Sequence, residues 1–301
     1  MTQEGFVPSV DGAPIYYRQM GADVGPTLVF CDGVGCAGYA WRYVIEQFRE
    51  RHRLVHFHYR GHGLSAPPRD LNRLEIADHA QDALRVLDHL GIEDAVLVGH
   101  SMGVQVLLEI YRAAPSRVRA LVPMCGSYGH VLDTFHGSAL ARTVFPFILD
   151  IATSRLALPF LQALWTTTLP TSLAYTLAEA TEVNPKLVKQ EDFFPYLQHM
   201  AEMDLEVFLR CVGAAARHSA EDLLPRVHVP ALIVAAERDG FTPAWLSQKM
   251  CDLIPGAELL FVPTATHTAP IELPELIVLR MCKFFEERLL PEPVRVVAAA
   301  R

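Results

Sequence analysis

The chain has 301 residues, 51% hydrophobic and 20% charged, with 26 Lys and Arg against 34 Asp and Glu for a formal net charge of −8. That composition supplies a large buried core and suits one long α/β unit. It offers no basic face for nucleic acid and disfavours adsorption to anionic membranes. No run approaches the ~18 uninterrupted apolar residues of a spanning helix, so no stable membrane insertion is expected. The start, Met1-Thr2-Gln3-Glu4-Gly5, has neither a basic region nor an apolar one, so no secretory leader is expected. The six cysteines, Cys31, Cys36, Cys125, Cys211, Cys251 and Cys282, form no C-x-x-C pair. They read as free thiols in a reducing compartment, which makes the cytoplasm the expected location.

Asp11-Gly12 is a turn signal between residues 6–10 and 15–20, which predicts a hairpin. A buried strand is expected at 27–30, running into the glycine-rich stretch Gly33, Gly35 and Gly38. A helix at 41–50 and a strand at 54–57 follow. Leu74, Ala77, Ala80, Leu84, Leu87 and Leu90 recur near the 3.6-residue period of a helix, which Gly91 is placed to end. Residues 95–98 have no polar face, as expected of a central parallel strand. A tight turn at 99–103, a helix at 104–113 and a strand at 119–124 complete a βαβ rhythm. The rhythm then breaks. From 127 to 224 the pattern is helical, interrupted by Pro146, Pro159, Pro170, Pro185 and Pro195. It resumes with a strand at 231–235, a helix at 245–253, a strand at 258–262 and a helix at 275–290. The expected organisation is therefore a core of residues 1–126 and 225–301, with 127–224 inserted as a helical cap.

Gly99-His100-Ser101-Met102-Gly103 fits G-x-S-x-G, and the strand before it and helix after it give the motif its meaning. A serine on so sharp a turn projects its hydroxyl out of the sheet, and the following helix aims its N-terminus at the same place. A serine hydroxyl needs a base. Of the 13 histidines, His267 follows the last predicted strand, at the carboxyl end where parallel sheets build their sites. The base needs an acid to fix its tautomer. Asp239 lies just past the strand at 231–235, with Glu237 as a nearby rival.

Over nearly its whole length the chain resembles the α/β-hydrolase superfamily. Cys31-Asp32-Gly33-Val34-Gly35 resembles its oxyanion loop and Arg60-Gly61-His62-Gly63-Leu64-Ser65 its Arg-Gly-x-Gly-x-Ser segment. Gly99–Gly103 resembles its nucleophile elbow, Asp239 with Pro243 its acid loop, and His267 with Glu272 and Pro274 its histidine loop. The resemblance implies a mostly parallel sheet flanked by helices. It also implies catalysis by Ser101, Asp239 and His267, with an oxyanion hole from the backbone N–H groups of Val34 and Met102; such donors are each worth ~3 kcal/mol. Asp32 stands where the family usually has histidine, His58 where it often has aspartate, and Val104 where it has a second glycine. Asp32 reads either as a cap of the glycine-rich loop or as a substrate-shaping group. His56 and His58 suggest strand and loop hydrogen bonding in preference to a metal site, for which no further ligands stand out. Cys31 and Cys36 flank the oxyanion loop, but Ser101 fits the nucleophile position better.

The insertion is rich in large apolar residues: Phe135, Phe145, Phe147, Phe160, Trp165, Phe193, Phe194, Tyr196, Met200, Met203 and Phe208. Most are expected to pack the cap itself, yet some must wall the pocket beneath it, which favours acyl or aromatic substrates. The expected substrate contacts are Gly33, His100, Phe135, Trp165 and Phe241. The expected activity is hydrolysis of a small apolar carboxylic ester, with no cofactor and no metal. The same residues acting on a lactone, thioester, amide or carbon–carbon bond, or in acyl transfer, form the alternative. A non-catalytic receptor on the same scaffold is the rival from another class. Oligomeric state is not legible.

Overall fold

The computed structural model describes residues 2–134, 140–181 and 183–289. One eight-stranded sheet runs through it in the order β1-β2-β4-β3-β5-β6-β7-β8. β1 (Gln3–Pro8) and β2 (Pro14–Gly21) form the expected hairpin, and β2 pairs antiparallel with β4 (Arg53–Phe57). β3 (Leu28–Cys31), β5 (Ala95–His100), β6 (Val118–Met124), β7 (Leu232–Ala236) and β8 (Glu258–Val262) continue the sheet in parallel.

The central strands are buried on both sides, so their apolar runs are continuous, but the pleat still sorts them. Val29, Ala95 and Leu97 face one core, shared with α2 (Ile76–His89), α3 (Met102–Ala113) and α9 (Ala244–Leu253). Leu28, Phe30, Val96 and Val98 face the other, shared with α1 (Arg42–Phe48) and α10 (Pro274–Arg288). α2 begins two residues later than its apolar period suggests. The Asp78 carboxylate accepts the Glu75 N–H at 3.1 Å, closing the first turn from within.

Between β6 and β7 come α4 (Leu140–Ala152), α5 (Leu158–Thr168), α6 (Ser172–Thr181), α7 (Gln190–Glu202) and α8 (Leu205–Arg217). The segment enters and leaves at one place. The Ala220 N–H donates to the Tyr128 carbonyl at 2.8 Å and the His130 N–H to the His218 carbonyl at 2.9 Å. Pro159 sits in the first turn of α5, where its missing N–H costs nothing. Pro146 and Pro195, expected to interrupt helices, lie inside α4 and α7. An internal proline costs about 3 kcal/mol. In α7 the buried face of Phe193, Leu197, Met200 and Ala201 offsets it.

The loop after β4 is fixed by a buried ion pair. Arg60 is fully buried; its Nε and Nη2 donate to the two oxygens of Asp82 on α2 at 2.6 and 2.8 Å, and Nη1 donates to the Arg73 carbonyl at 2.8 Å. Removing one partner strands the other charge. Arg60→Met is expected to cost roughly 3–5 kcal/mol in urea unfolding, and adding Asp82→Leu to recover most of it; a double variant no more stable than the single one would count against the pair's isolation from solvent.

Several buried histidines are held neutral. Burial, reinforced by neighbouring His56, pushes His58 down to about 3. Burial pushes His62 down to about 4 against the favourable Arg60 carbonyl, and His100 to about 4 with help from His267. Unfolded histidines titrate near 6.5. The unfolded chain therefore binds more protons below that pH. Stability is fully present above about 6.5 and is lost as pH falls towards 4, by up to about 1.4 kcal/mol per pH unit for each group. The urea midpoint is expected to drop markedly from pH 7.5 to 5, and His62→Gln to flatten that slope.

Candidate active site

Only Ser101 separates β5 from α3. Its backbone sits at φ 56° and ψ −121°, a conformation that a residue with a side chain adopts only under constraint. Two hydrogen bonds supply the constraint: the Ser101 N–H donates to the Met124 carbonyl at 3.1 Å, and the Ser101 carbonyl accepts from the Val104 N–H at 3.0 Å. The turn passes so close to β3 that a methyl group on Gly103 would overlap the Cys31 carbonyl oxygen. α3 therefore starts at Met102, two residues earlier than the apolar pattern indicates.

The loop after β8 brings His267 to this serine. His267 Nε2 lies 2.9 Å from Ser101 Oγ, and Nδ1 lies 3.0 and 3.1 Å from the Asp239 oxygens. The carboxylate can only accept, so Nδ1 carries the proton and Nε2 presents its lone pair to the hydroxyl. Asp239 is itself held: Oδ1 accepts the N–H groups of Phe241 and Thr242 at 2.9 and 2.7 Å, and Oδ2 the Thr242 hydroxyl at 2.8 Å. Thr242 escaped the sequence reading, although an aspartate followed by backbone donors two and three residues on is a recognisable turn pattern. The rival Glu237 is used elsewhere, accepting the Thr264 N–H at 2.7 Å.

The histidine loop has two further anchors. His100 Nε2 donates to the His267 carbonyl at 2.8 Å, and the rings lie 4.9 Å apart. Buried Glu272 accepts the N–H and hydroxyl of Thr266 at 2.6 and 2.7 Å, and the Asn184 N–H at 2.8 Å.

Asp32 is turned away from the serine. Oδ1 accepts from Trp41 Nε1 at 2.7 Å, and Oδ2 from His56 Nε2 at 2.7 Å and the Gly38 N–H at 3.1 Å. Burial alone would raise its pKa, but His56 and Trp41 together hold the carboxyl below its ordinary range. Asp32 is thus a cap of the glycine-rich loop, and His56 is its partner. His58 Nδ1 accepts the Leu64 N–H at 2.9 Å. Burial raises the Cys31 and Cys36 thiols well above their usual range, which keeps both protonated.

Gly33 packs where a side chain would press on Ser101: a Cβ there would stand 3.1 Å from the serine Cβ. Val34, Met102 and Phe241 line, with Ser101, a cavity of about 690 Å³. The Met102 N–H, at the first position of α3, has no intrahelical acceptor. The cavity's far wall is apolar: Val144, Phe145 and Ile148 from α4, Met200 from α7, Phe208 and Val212 from α8. Trp165 is not on this wall. Its indole donates to the Met200 carbonyl at 2.6 Å and its ring packs on Phe208, so it backs the lining. Phe135 lies outside the described residues. Gln105 of α3 is fully buried behind the same wall, its Nε2 donating to the Ala215 carbonyl at 2.8 Å.

Comparison with known proteins bears on the fold and the family. Residues 26–274 match the family described as alpha/beta hydrolase fold. The putative carbamate hydrolase RutD of Azorhizobium caulinodans is 29% identical over 267 residues, covering 88% of this chain and 92% of that protein. An esterase from Exiguobacterium antarcticum shares the fold with a TM-score of 0.77 at 18% identity, over 94% of this chain and 100% of that one. The enol-lactonase from Burkholderia xenovorans does so with a TM-score of 0.76 at 18% identity, over 94% and 100%. A match that runs from β3 to β8 and takes in the serine turn and the histidine loop leaves one conclusion: the chain belongs to the alpha/beta hydrolase fold family.

Proposed function

We propose that the protein is a serine hydrolase that cleaves carboxylic esters of apolar acyl or aromatic acids. The observation that carries this reading is a serine hydroxyl 2.9 Å from a carboxylate-oriented imidazole, at the edge of a large apolar cavity. His267 Nε2 takes the hydroxyl proton as Ser101 Oγ adds to the ester carbonyl. The N–H groups of Met102 and Val34 receive the oxyanion. Collapse of the intermediate breaks the bond to the leaving alcohol, which takes the proton from His267. Water then gives a proton to His267 and attacks the acyl-enzyme; the acyl–Oγ bond breaks, Ser101 Oγ takes that proton back from His267, and the acid leaves. Asp239 holds the imidazole tautomer and stabilises its cation. The helices α4–α8 act as the cap that supplies the acyl wall, and the free cysteines support a reducing, cytoplasmic setting.

A second reading has the same residues open a lactone or a carbamate. It is favoured by likeness to proteins named as a putative carbamate hydrolase and an enol-lactonase.

The test is hydrolysis of p-nitrophenyl esters from acetyl to long acyl chains, beside a lactone and a carbamate. Ser101→Ala is expected to lower kcat by roughly 10⁴-fold or more, and Asp239→Asn by about 10⁴-fold. In the Asp239→Asn protein a fluorophosphonate probe should still label Ser101, but slowly. Ester turnover that survives Ser101→Ala overturns the assignment. Turnover of lactone or carbamate alone moves the protein to the second reading.

A further inference from the structure

Two of the inserted helices are apolar where solvent meets them. On α4, Val144, Phe147, Ile148 and Ile151 stand at i, i+3, i+4 and i+7 and form a single stripe. All four are exposed, Phe147 by 68% and Ile151 by 66%. α5 continues the face: it touches α4, buries none of its residues and carries no charged side chain along Leu158–Thr168. On it Phe160 is 71% exposed, and Leu156 just before it 94%. Single exposed apolar side chains are ordinary on a folded protein, but a run of them on two adjoining helices marks a surface that something covers.

Charge and position say what the cover is. The chain carries a net charge of −8, yet residues 140–168 hold only Arg142, Arg155 and Asp150, a net +1. The acidity of the protein is kept off this face, and the two exposed arginines bracket the stripe, one near each end of α4. A phospholipid surface offers acyl chains beneath phosphate groups, which matches an apolar stripe between guanidinium groups. A strongly anionic surface does not match, because the rest of the chain is acidic and is repelled by it. Val144 and Ile148 also form part of the wall of the cavity at Ser101, so the exposed face and the cavity wall are one continuous apolar surface. A second copy of the chain seated there would lie across the edge of the cavity. A fluid lipid layer covers the same face and leaves apolar molecules a way in.

We infer that α4 and α5 dock on a zwitterionic phospholipid surface, lying in the plane of the interface with Phe147, Ile151 and Phe160 among the acyl chains. Docking of this kind needs no spanning helix: α4 has 13 residues, and no helix among the described residues is long and apolar enough to cross a membrane. What docking does for turnover rests on the ester-hydrolase reading above. On that reading the substrate is an ester dissolved in the lipid, entering the cavity past Val144 and Ile148.

The experiment is flotation of the full chain with phosphatidylcholine vesicles, and with vesicles containing phosphatidylglycerol, for the wild type and for the double variant Phe147→Ser, Ile151→Ser. Both side chains are exposed and neither lines the cavity, so the double variant is expected to melt with the wild type. The wild type is expected to float with phosphatidylcholine, and the double variant to bind at least about tenfold more weakly. A wild type that stays out of the vesicle fraction overturns the proposal, as does binding that the double variant retains, or binding to the anionic vesicles alone. Sedimentation without lipid identifies the rival occupant: a wild-type dimer that the double variant loses, with no flotation, assigns the face to a second copy and overturns the proposal. Flotation needs no catalysis, so the two readings fail separately. If Ser101→Ala floats as the wild type does while the wild type turns over no ester, docking stands and only the ester reading falls.

Discussion

The site depends on the closeness of two backbones. Gly103, in the first turn of α3, lies against the Cys31 carbonyl at the end of β3, and no side chain fits between them. This approach puts the serine turn beside the glycine-rich loop, so the hydroxyl, the Met102 N–H and the Val34 segment share one cavity. Strain at a non-glycine residue with positive φ is worth about 1–3 kcal/mol, and it persists because the surrounding sheet over-determines the turn. The parallel register of β5 with β6, which sets His100 opposite Met124, places the carbonyl that holds the Ser101 N–H.

Around that turn, each loop is held by a buried carboxylate. Asp32 gathers the indole of Trp41, the imidazole of His56 and the Gly38 amide. Asp239 gathers the turn at Phe241 and Thr242 before it meets His267. Glu272 gathers Thr266 and Asn184. Hydrogen bonds to an ionised acceptor are shorter and about twice as strong as neutral ones, and the low dielectric strengthens them further. The loops thereby keep their shape with little regular structure of their own.

What could be read from the sequence was what is local along it. The serine turn, the all-apolar strands and the hairpin at Asp11-Gly12 are each written in a few adjacent residues. So was the order of serine, aspartate and histidine, which strand ends impose. What escaped depends on contacts across the chain. Asp32 looked like a departure from a pattern, because its partner His56 lies on the neighbouring strand. Trp165 looked like pocket lining, because hydropathy gives a helix residue no direction; packing turned its indole to the Met200 carbonyl. Pro146 and Pro195 looked like helix ends because a single-residue cost says nothing of the face that outweighs it.

Glu272 also bears on how freely such a scaffold can be recombined. It accepts from Thr266, the residue before His267, and from the backbone of Asn184, which lies between α6 and α7. The inserted helices are therefore no detachable module: one of their amides completes the coordination of the carboxylate that braces the histidine. Grafting a foreign segment onto this sheet would have to reproduce an N–H at that point, or leave Glu272 under-satisfied beside the histidine loop. Chimaeras that exchange only the segment before Asn184 keep that brace, and those that cross it must rebuild it.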